Sequence, residues 1–226
     1  LNAGDGVLVP NPGYLSYSSV ANLLGAKVHA YELNEANSWM PDLAALAQTD
    51  LSKVKLMWVN YPNMPTGADV QDGLFEELIA FAKQHQILLI NDNPYSLILN
   101  SKPRSIMQHA GAKEVALELN SLSKSHNMAG WRIGMLIGHS NYLAQVLKVK
   151  SNMDSGMFLG LQKAAIAALG NTKQWHDSQN FIYQQRRQVA YQIMDTLNCQ
   201  YSAEQVGMFI WAKVPSEVAD VAIWMD

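Results

Sequence analysis

Residues 120–134 read NSLSKSHNMAGWRIG, and the reading of the whole chain turns on what this segment is for. Lys124 sits among the hydroxyl residues Ser121, Ser123 and Ser125, and Arg132 follows between Gly130 and Gly134. The two basic residues suit different work. A lysine amine can lose its proton and attack a carbonyl to form an imine, whereas a guanidinium stays charged and pairs with phosphate. One loop therefore offers a covalent attachment point beside an anion contact. Pyridoxal phosphate asks for both, an amine for its aldehyde and hydroxyls with a cation for its phosphate. A bare Lys/Arg pair is far more often a solvated basic loop. The segments upstream decide between the two.

Outward from this segment, 115–120 reads as a strand that delivers Ser121 to Lys124 at its end, and 135–137 as another. Before them, 87–91 is an apolar strand running into Asp92-Asn93-Pro94-Tyr95. A carboxylate directly after a Leu/Ile run is costly unless it has a partner, and a protonated pyridine nitrogen is such a partner. A turn or N-cap aspartate is the plainer alternative, but no long helical pattern comes directly after it. Strand 54–60 runs into Tyr61-Pro62-Asn63-Met64-Pro65-Thr66-Gly67, a turn that its prolines, asparagine and glycine fix rigidly, with room for a cis peptide. Strand 7–9 is stopped by Pro10 and Pro12 and leads to Pro12-Gly13-Tyr14 and a helix over 18–24. Tyr14 is thus placed to stack on a bound planar ring, although an aromatic at a turn more often only packs. Residues 27–33 form a further strand, 41–48 a short helix and 74–84 a longer one.

Tyr14, the Asn63 turn, Asp92 with Tyr95, and Lys124 each come just after an expected strand. Strand ends separated by helices imply an α/β fold with a mainly parallel sheet, whose carboxyl edge is the usual ligand site. Any one of these groups could be structural, but together they meet one cofactor's needs. Beyond Ser140 the chain turns helical, over 141–150, 158–169 and 173–197. In the last of these Phe181, Val189, Ile193 and Leu197 form an apolar face, with Arg186 and Arg187 on the solvated side. A smaller α+β unit begins there, with 207–214 as its strand and a helix starting at Pro215. The expected division is 1–175 and 176–226.

The chain has 226 residues, 49% of them hydrophobic, enough to bury a sizeable core. A net charge of −3 gives no basic field for nucleic acid, and the scattered histidines 29, 85, 109, 126, 139 and 176 lack metal-ligand spacing. Neither nucleic acid nor metal is expected as a partner. A single cysteine, Cys199, rules out an internal disulfide, and no apolar run is long enough to cross a membrane, so a cytoplasmic location is expected. The opening LNAGDGVLVP without a methionine and the helical pattern at VADVAIWMD suggest an internal piece of a longer protein.

These residues resemble the class I/II pyridoxal-phosphate aminotransferases of fold type I. The resemblance rests on GDGVLVPNPGYLSY (4–17), an NxxNPTG-like turn (60–67), the Asp92/Tyr95 pair, SLSK with GWRIG (121–134), and GMFIW (207–211). It implies a fold type I large domain, the start of a small domain, and amino-group transfer between an amino acid and a 2-oxo acid in a homodimer. By position, Lys124 would form the Schiff base and shuttle the substrate Cα proton, Asp92 would keep the pyridine nitrogen protonated, and Tyr95 would bond the ring 3'-oxygen. Ser121, Ser123 and Arg132 would bind phosphate, and Tyr14 would stack on the ring. Where the family has an asparagine immediately before Pro-Thr-Gly this chain has Met64, so that role passes to Asn63 or is missing. The family's upstream phosphate loop and its C-terminal carboxylate-binding arginine have no counterpart in the sequence, and the chain on its own is not expected to transaminate. A carbon-sulfur β-lyase would share the fold, lysine and aspartate, and a non-catalytic regulatory module would need a basic winged helix, which the sequence lacks. Ser121 and Lys124 also fit the SxxK of penicillin-binding enzymes, but the SDN and KTG segments of that class are absent.

Overall fold

The structure, a computed structural model, describes residues 1–225. One six-stranded sheet is built from β1 (Gly6–Asn11), β2 (Lys27–Glu32), β3 (Val54–Val59), β4 (Leu88–Asp92), β5 (Ala116–Ser121) and β6 (Gly134–Gly138), in the order β2-β1-β3-β4-β5-β6. All neighbours run parallel except β5 and β6. The exception arises from the connection: residues 122–133 form short turns rather than a crossover helix, so the chain folds straight back against the strand it left.

The central strands are covered on both faces, which is why β1 and β4 are near-continuous apolar runs, while the edge strand β2 is largely exposed. Alternate residues of β1 serve different cores. Val7 and Val9 pack with Tyr17 and Ala21 of α1 (Ser16–Leu23), while Leu8 faces the larger core on the other side. That larger core is closed by α3 (Leu74–His85), whose Leu74, Phe75, Leu78, Ile79 and Ala82 recur at helical spacing. Glu76 and Glu77 lie in its first turn and Lys83 and His85 in its last, as the helix dipole favours, and Gln86 in the left-handed region ends it. Each buried Leu, Ile or Phe of this face contributes about 1.5–3 kcal/mol. Shorter helices are α2 (Leu43–Ala47), α4 (Ala112–Val115) and α5 (Leu122–Ser125). The peptide bonds before Pro12, Pro62 and Pro65 are cis.

Three longer helices come directly after the sheet, α6 (Ser140–Met153), α7 (Leu159–Leu169) and α8 (Lys173–Thr196). Leu161, Ala164, Ala165 and Ala168 of α7 pack on Leu122, Met128 and Ile133, the apolar underside of the 120–134 segment. The apolar stripe expected to seat α8 is not what holds it. Phe181, Val189, Ile193 and Leu197 are exposed, and the helix is fastened instead by polar side chains. Asn180 spans the 97–99 loop, accepting from the Leu99 N–H and donating to the Leu97 carbonyl. Arg187, expected on the solvated side, donates to the carbonyls of Gln205 and Gly207. Irregular backbone at both places leaves carbonyls that no strand partner satisfies, and long polar side chains reach them.

The end of the chain also departs from expectation. The strand expected over 207–214 shrinks to β8 (Ala212–Lys213), paired antiparallel with the unforeseen β7 (Gln200–Tyr201). Gly207 sits at φ +77 with its N–H on the Ile98 carbonyl, so this stretch turns to meet the 97–99 loop rather than extending. Pro215 opens only a turn, and the helix α9 (Val221–Met225) starts later.

Candidate active site

The carboxyl ends of β3, β4 and β5 are laced together by amide side chains. Asn60 donates to the Asp92 carbonyl at 2.6 Å and accepts from the Met64 N–H at 2.7 Å. Asn120 donates to the Asn93 carbonyl, and Asn93 to the Arg104 carbonyl. Asn91 accepts from the Tyr61 N–H and donates to Glu118, whose carboxyl is buried and also takes the Ser105 hydroxyl and the Ile106 N–H. Amides carry both donors and acceptors, so they can replace the ladder where strands stop. None of these amides entered the candidate site from sequence. Polar residues closing strand runs were the available signal.

Asp92 is the last residue of β4, half-buried, with its Oδ2 accepting from the Tyr17 hydroxyl at 2.7 Å. Burial pushes its carboxyl above the usual range, and the Tyr17 hydrogen bond pulls it back. No cation pairs with it among the described residues. Tyr17 itself is buried, stacked on Trp58 with ring centroids 4.5 Å apart, and its phenol is held protonated by burial and by the carboxylate. Tyr95 lies just beyond β4 and is buried, its phenol pushed up to about 12 by burial, then by Asp92 and Tyr14. Phe209 meets its ring edge-on at 5.6 Å.

Lys124 lies on α5, one turn of helix seated directly on the end of β5. Ser121 caps that turn by accepting from the Ser123 N–H, and the Ser125 hydroxyl donates back to the Ser121 carbonyl. The next loop is strapped to α8 through Asn127, which donates to Gln179 and accepts from Tyr183. Arg132 adopts φ +52, a left-handed conformation unusual for a side chain of this size, and its only protein acceptor among the described residues is the Ala129 carbonyl.

A cavity of about 840 Å³ opens at this edge of the sheet, and Asp92, Ser121, Ser123 and Arg132 all line it, with Asn120 between them. Ile133, Leu143 and Leu147 supply an apolar wall. The structure thus gathers the expected ring-nitrogen partner and the expected phosphate ligands around one space. Lys124, half-buried beside Ser123, and buried Tyr95 border this assembly without lining the cavity. Tyr14 is half exposed on the β1–α1 turn, edge-on to Tyr17 at 5.6 Å. Asn63 lies apart. It is 2% exposed, its Oδ1 taken by the Thr66 hydroxyl at 2.7 Å and its Nδ2 enclosed without a partner, so it serves the turn. Tyr17 is the residue the sequence understated: it stands in the first turn of α1, three positions after Tyr14 in the turn before it, and their closeness in sequence was visible.

Comparison with known proteins agrees with this geometry. Residues 1–225 match the family described as aminotransferase class I and II. The chain is 41% identical over 217 residues to the LL-diaminopimelate aminotransferase of Dehalococcoides mccartyi, a match covering 95% of this chain and 56% of that protein. Among solved structures, BacF from Bacillus subtilis superposes with a TM-score of 0.91 at 36% identity, over 96% of this chain and 56% of that one. The aspartate aminotransferase of Thermus thermophilus determined with maleate gives 0.84 at 26% identity, over 92% and 55%. The chain therefore spans about half the length of the relatives it matches. The parallel sheet with flanking helices is the fold of these enzymes, and the chain belongs to the class I and II aminotransferase family.

Proposed function

We propose that the whole protein containing this chain moves an amino group between an amino acid and a 2-oxo acid, using pyridoxal 5'-phosphate. The observation that carries this reading is the single cavity lined by Asp92, Ser121, Ser123 and Arg132 at the end of the strands that also deliver Lys124. The donor set fits the cofactor: a desolvated carboxyl without a cation, paired hydroxyls, a guanidinium without a carboxylate, and a neighbouring amine. Bound there, pyridoxal phosphate would supply an aldehyde for Lys124 and a protonated ring that draws electron density from the substrate Cα. Asp92 would hold the ring nitrogen, Tyr95 the 3'-oxygen, Tyr14 one ring face, and Ser121, Ser123 and Arg132 the phosphate. Lys124, released by the incoming amine, would take the Cα proton and hand it to the carbon of the cofactor's former aldehyde group. Fixing several groups on one rigid sheet edge is what orients the bond to be broken.

The name of the 41% identical relative makes LL-diaminopimelate the first amino donor to assay, in a biosynthetic, cytoplasmic setting. Under this reading residues 1–175 are the cofactor-binding unit and 176–226 the bridging helix and the start of a small unit. A homodimer would cover apolar side chains such as Leu15, Val20 and Leu23, which α1 and its approach leave exposed, and light scattering would show it.

The decisive experiment incubates the whole protein with pyridoxal phosphate, reduces it with borohydride and locates the modified peptide by mass spectrometry. The label is expected on Lys124 and absent from Lys124→Ala; a label elsewhere, or none, would sink the reading. Arg132 offers a second check. Arg132→Gly removes the phosphate contact while relieving the left-handed backbone, so cofactor affinity should fall about tenfold or more with the apo thermal midpoint nearly unchanged. Unaltered affinity would take Arg132 out of the site.

A further inference from the structure

The hydrogen bond from Tyr17 to Asp92 assigns a role to a residue that neither the sequence motif nor the family match provides. Tyr17 comes from α1, on the far side of β3 from β4, and crosses the sheet edge to reach the carboxyl 2.7 Å away. Its ring cannot swing. Trp58 of β3 stacks on one face at 4.5 Å and 11°, and Tyr14 meets it edge-on. The phenol has a single proton to give and, with Asp92 as its acceptor, gives it to Oδ2. Oδ1 takes no donor among the described residues, and Asp92 borders the cavity.

We propose that Tyr17 is a positioning residue for Asp92: its clamped phenol binds one carboxylate oxygen, fixes the orientation of the group, and leaves the other oxygen for a cationic heteroaromatic nitrogen in the cavity. This rests on the transaminase reading for the identity of that cation, but the Tyr17–Asp92 coupling itself does not. A hydrogen bond to the charged form of a carboxylate favours that form. A neutral phenol does so without neutralising the carboxylate, as an arginine or lysine would, so the attraction for a ligand cation is retained. The turn that places Tyr14 against the ring and the helix that aims Tyr17 at its nitrogen partner are then one unit, and the aromatic contact between them transmits position from one to the other.

The test is a double-mutant cycle in the whole protein with Tyr17→Phe, Asp92→Asn and the pair, read by cofactor affinity and by denaturant unfolding of the apo protein. Phenylalanine keeps the stack on Trp58 and removes only the hydroxyl. Tyr17→Phe is expected to weaken cofactor binding about tenfold when Asp92 is present and by no more than about twofold in the Asp92→Asn background. The apo unfolding cycle should show the same non-additivity. Equal effects of Tyr17→Phe in both backgrounds, or none, overturn the proposal, since packing alone would not depend on the residue at position 92. Should the wild type bind no cofactor, the transaminase reading fails by that fact, and the apo cycle still decides whether Tyr17 acts through Asp92.

Discussion

Asp92→Asn is expected to slow amino-group transfer by the whole protein about 10²–10³-fold, with the cofactor-free protein no less stable than wild type. The size of the loss comes from the position of the group. Asp92 is partly buried at the head of the cavity, and it is the one carboxylate among the described residues that lines it. An amide there can accept or donate a neutral hydrogen bond but cannot hold a proton on a ring nitrogen, so the draw of electrons from Cα weakens. Burial raises the carboxyl's pKa in the folded protein. The stability contributed by this group is therefore fullest below the ordinary carboxylate value and is lost as pH rises through the raised one. Asparagine carries no such dependence. The unfolding midpoint of Asp92→Asn relative to wild type should accordingly climb as pH rises from below the ordinary carboxylate value to above it, while the transfer rate stays low throughout. A variant that loses stability and activity together would mean that Asp92 is a structural residue.

Much of the sheet was legible because its central strands are short apolar runs closed by turn-forming or polar residues, and burial on both faces makes such runs continuous. The residues lining the cavity were legible for a related reason. Ligand groups in an open parallel sheet stand just beyond strand ends, so the polar residues directly after 87–91 and 115–120 led to Asp92 and Ser121. The features that escaped were set by contacts distant in sequence. Tyr17 matters through a partner 75 positions away. The α8 face was misread because periodicity reports which residues could be buried, whereas Asn180 and Arg187 are drawn in by carbonyls that only the folded loops create. The 207–211 stretch has a strand composition, yet Gln205 bonds the Trp211 backbone in both directions and Gly207 joins Ile98, and those contacts hold it out of a ladder. Asn63, one position before Met64, has its Oδ1 taken by the Thr66 hydroxyl inside the turn, a contact that its sequence neighbours alone do not announce.

Glu118→Ala should cost about 3 kcal/mol or more of folding stability, read as a lower midpoint in urea with the slope unchanged. Nothing in the sequence marks this residue, which alternates among Ala116, Leu117 and Leu119 in the middle of β5. In the folded protein it is 2% exposed, and its oxygens gather donors from separate places: Asn91 Nδ2 at 3.0 Å, the Ser105 hydroxyl at 2.8 Å and the Ile106 N–H at 2.9 Å. Ser105 and Ile106 begin the short turn that returns the chain toward α4, so the carboxyl pins this loop to the sheet. Truncation leaves each of those donors buried without an acceptor, and an unmet buried donor costs roughly 1–3 kcal/mol even after some relaxation. Glu118→Gln keeps an acceptor oxygen but turns an amide donor toward other donors, and should lose roughly half as much. The consequence reaches the site, because Asn91 is held between Glu118 and the Tyr61 N–H and directly precedes Asp92. Glu118→Gln should therefore weaken cofactor affinity a few-fold at temperatures where the protein is still fully folded. If Glu118→Ala instead unfolds at the wild-type midpoint, water has replaced the carboxyl, and the back of the sheet is softer than these contacts imply.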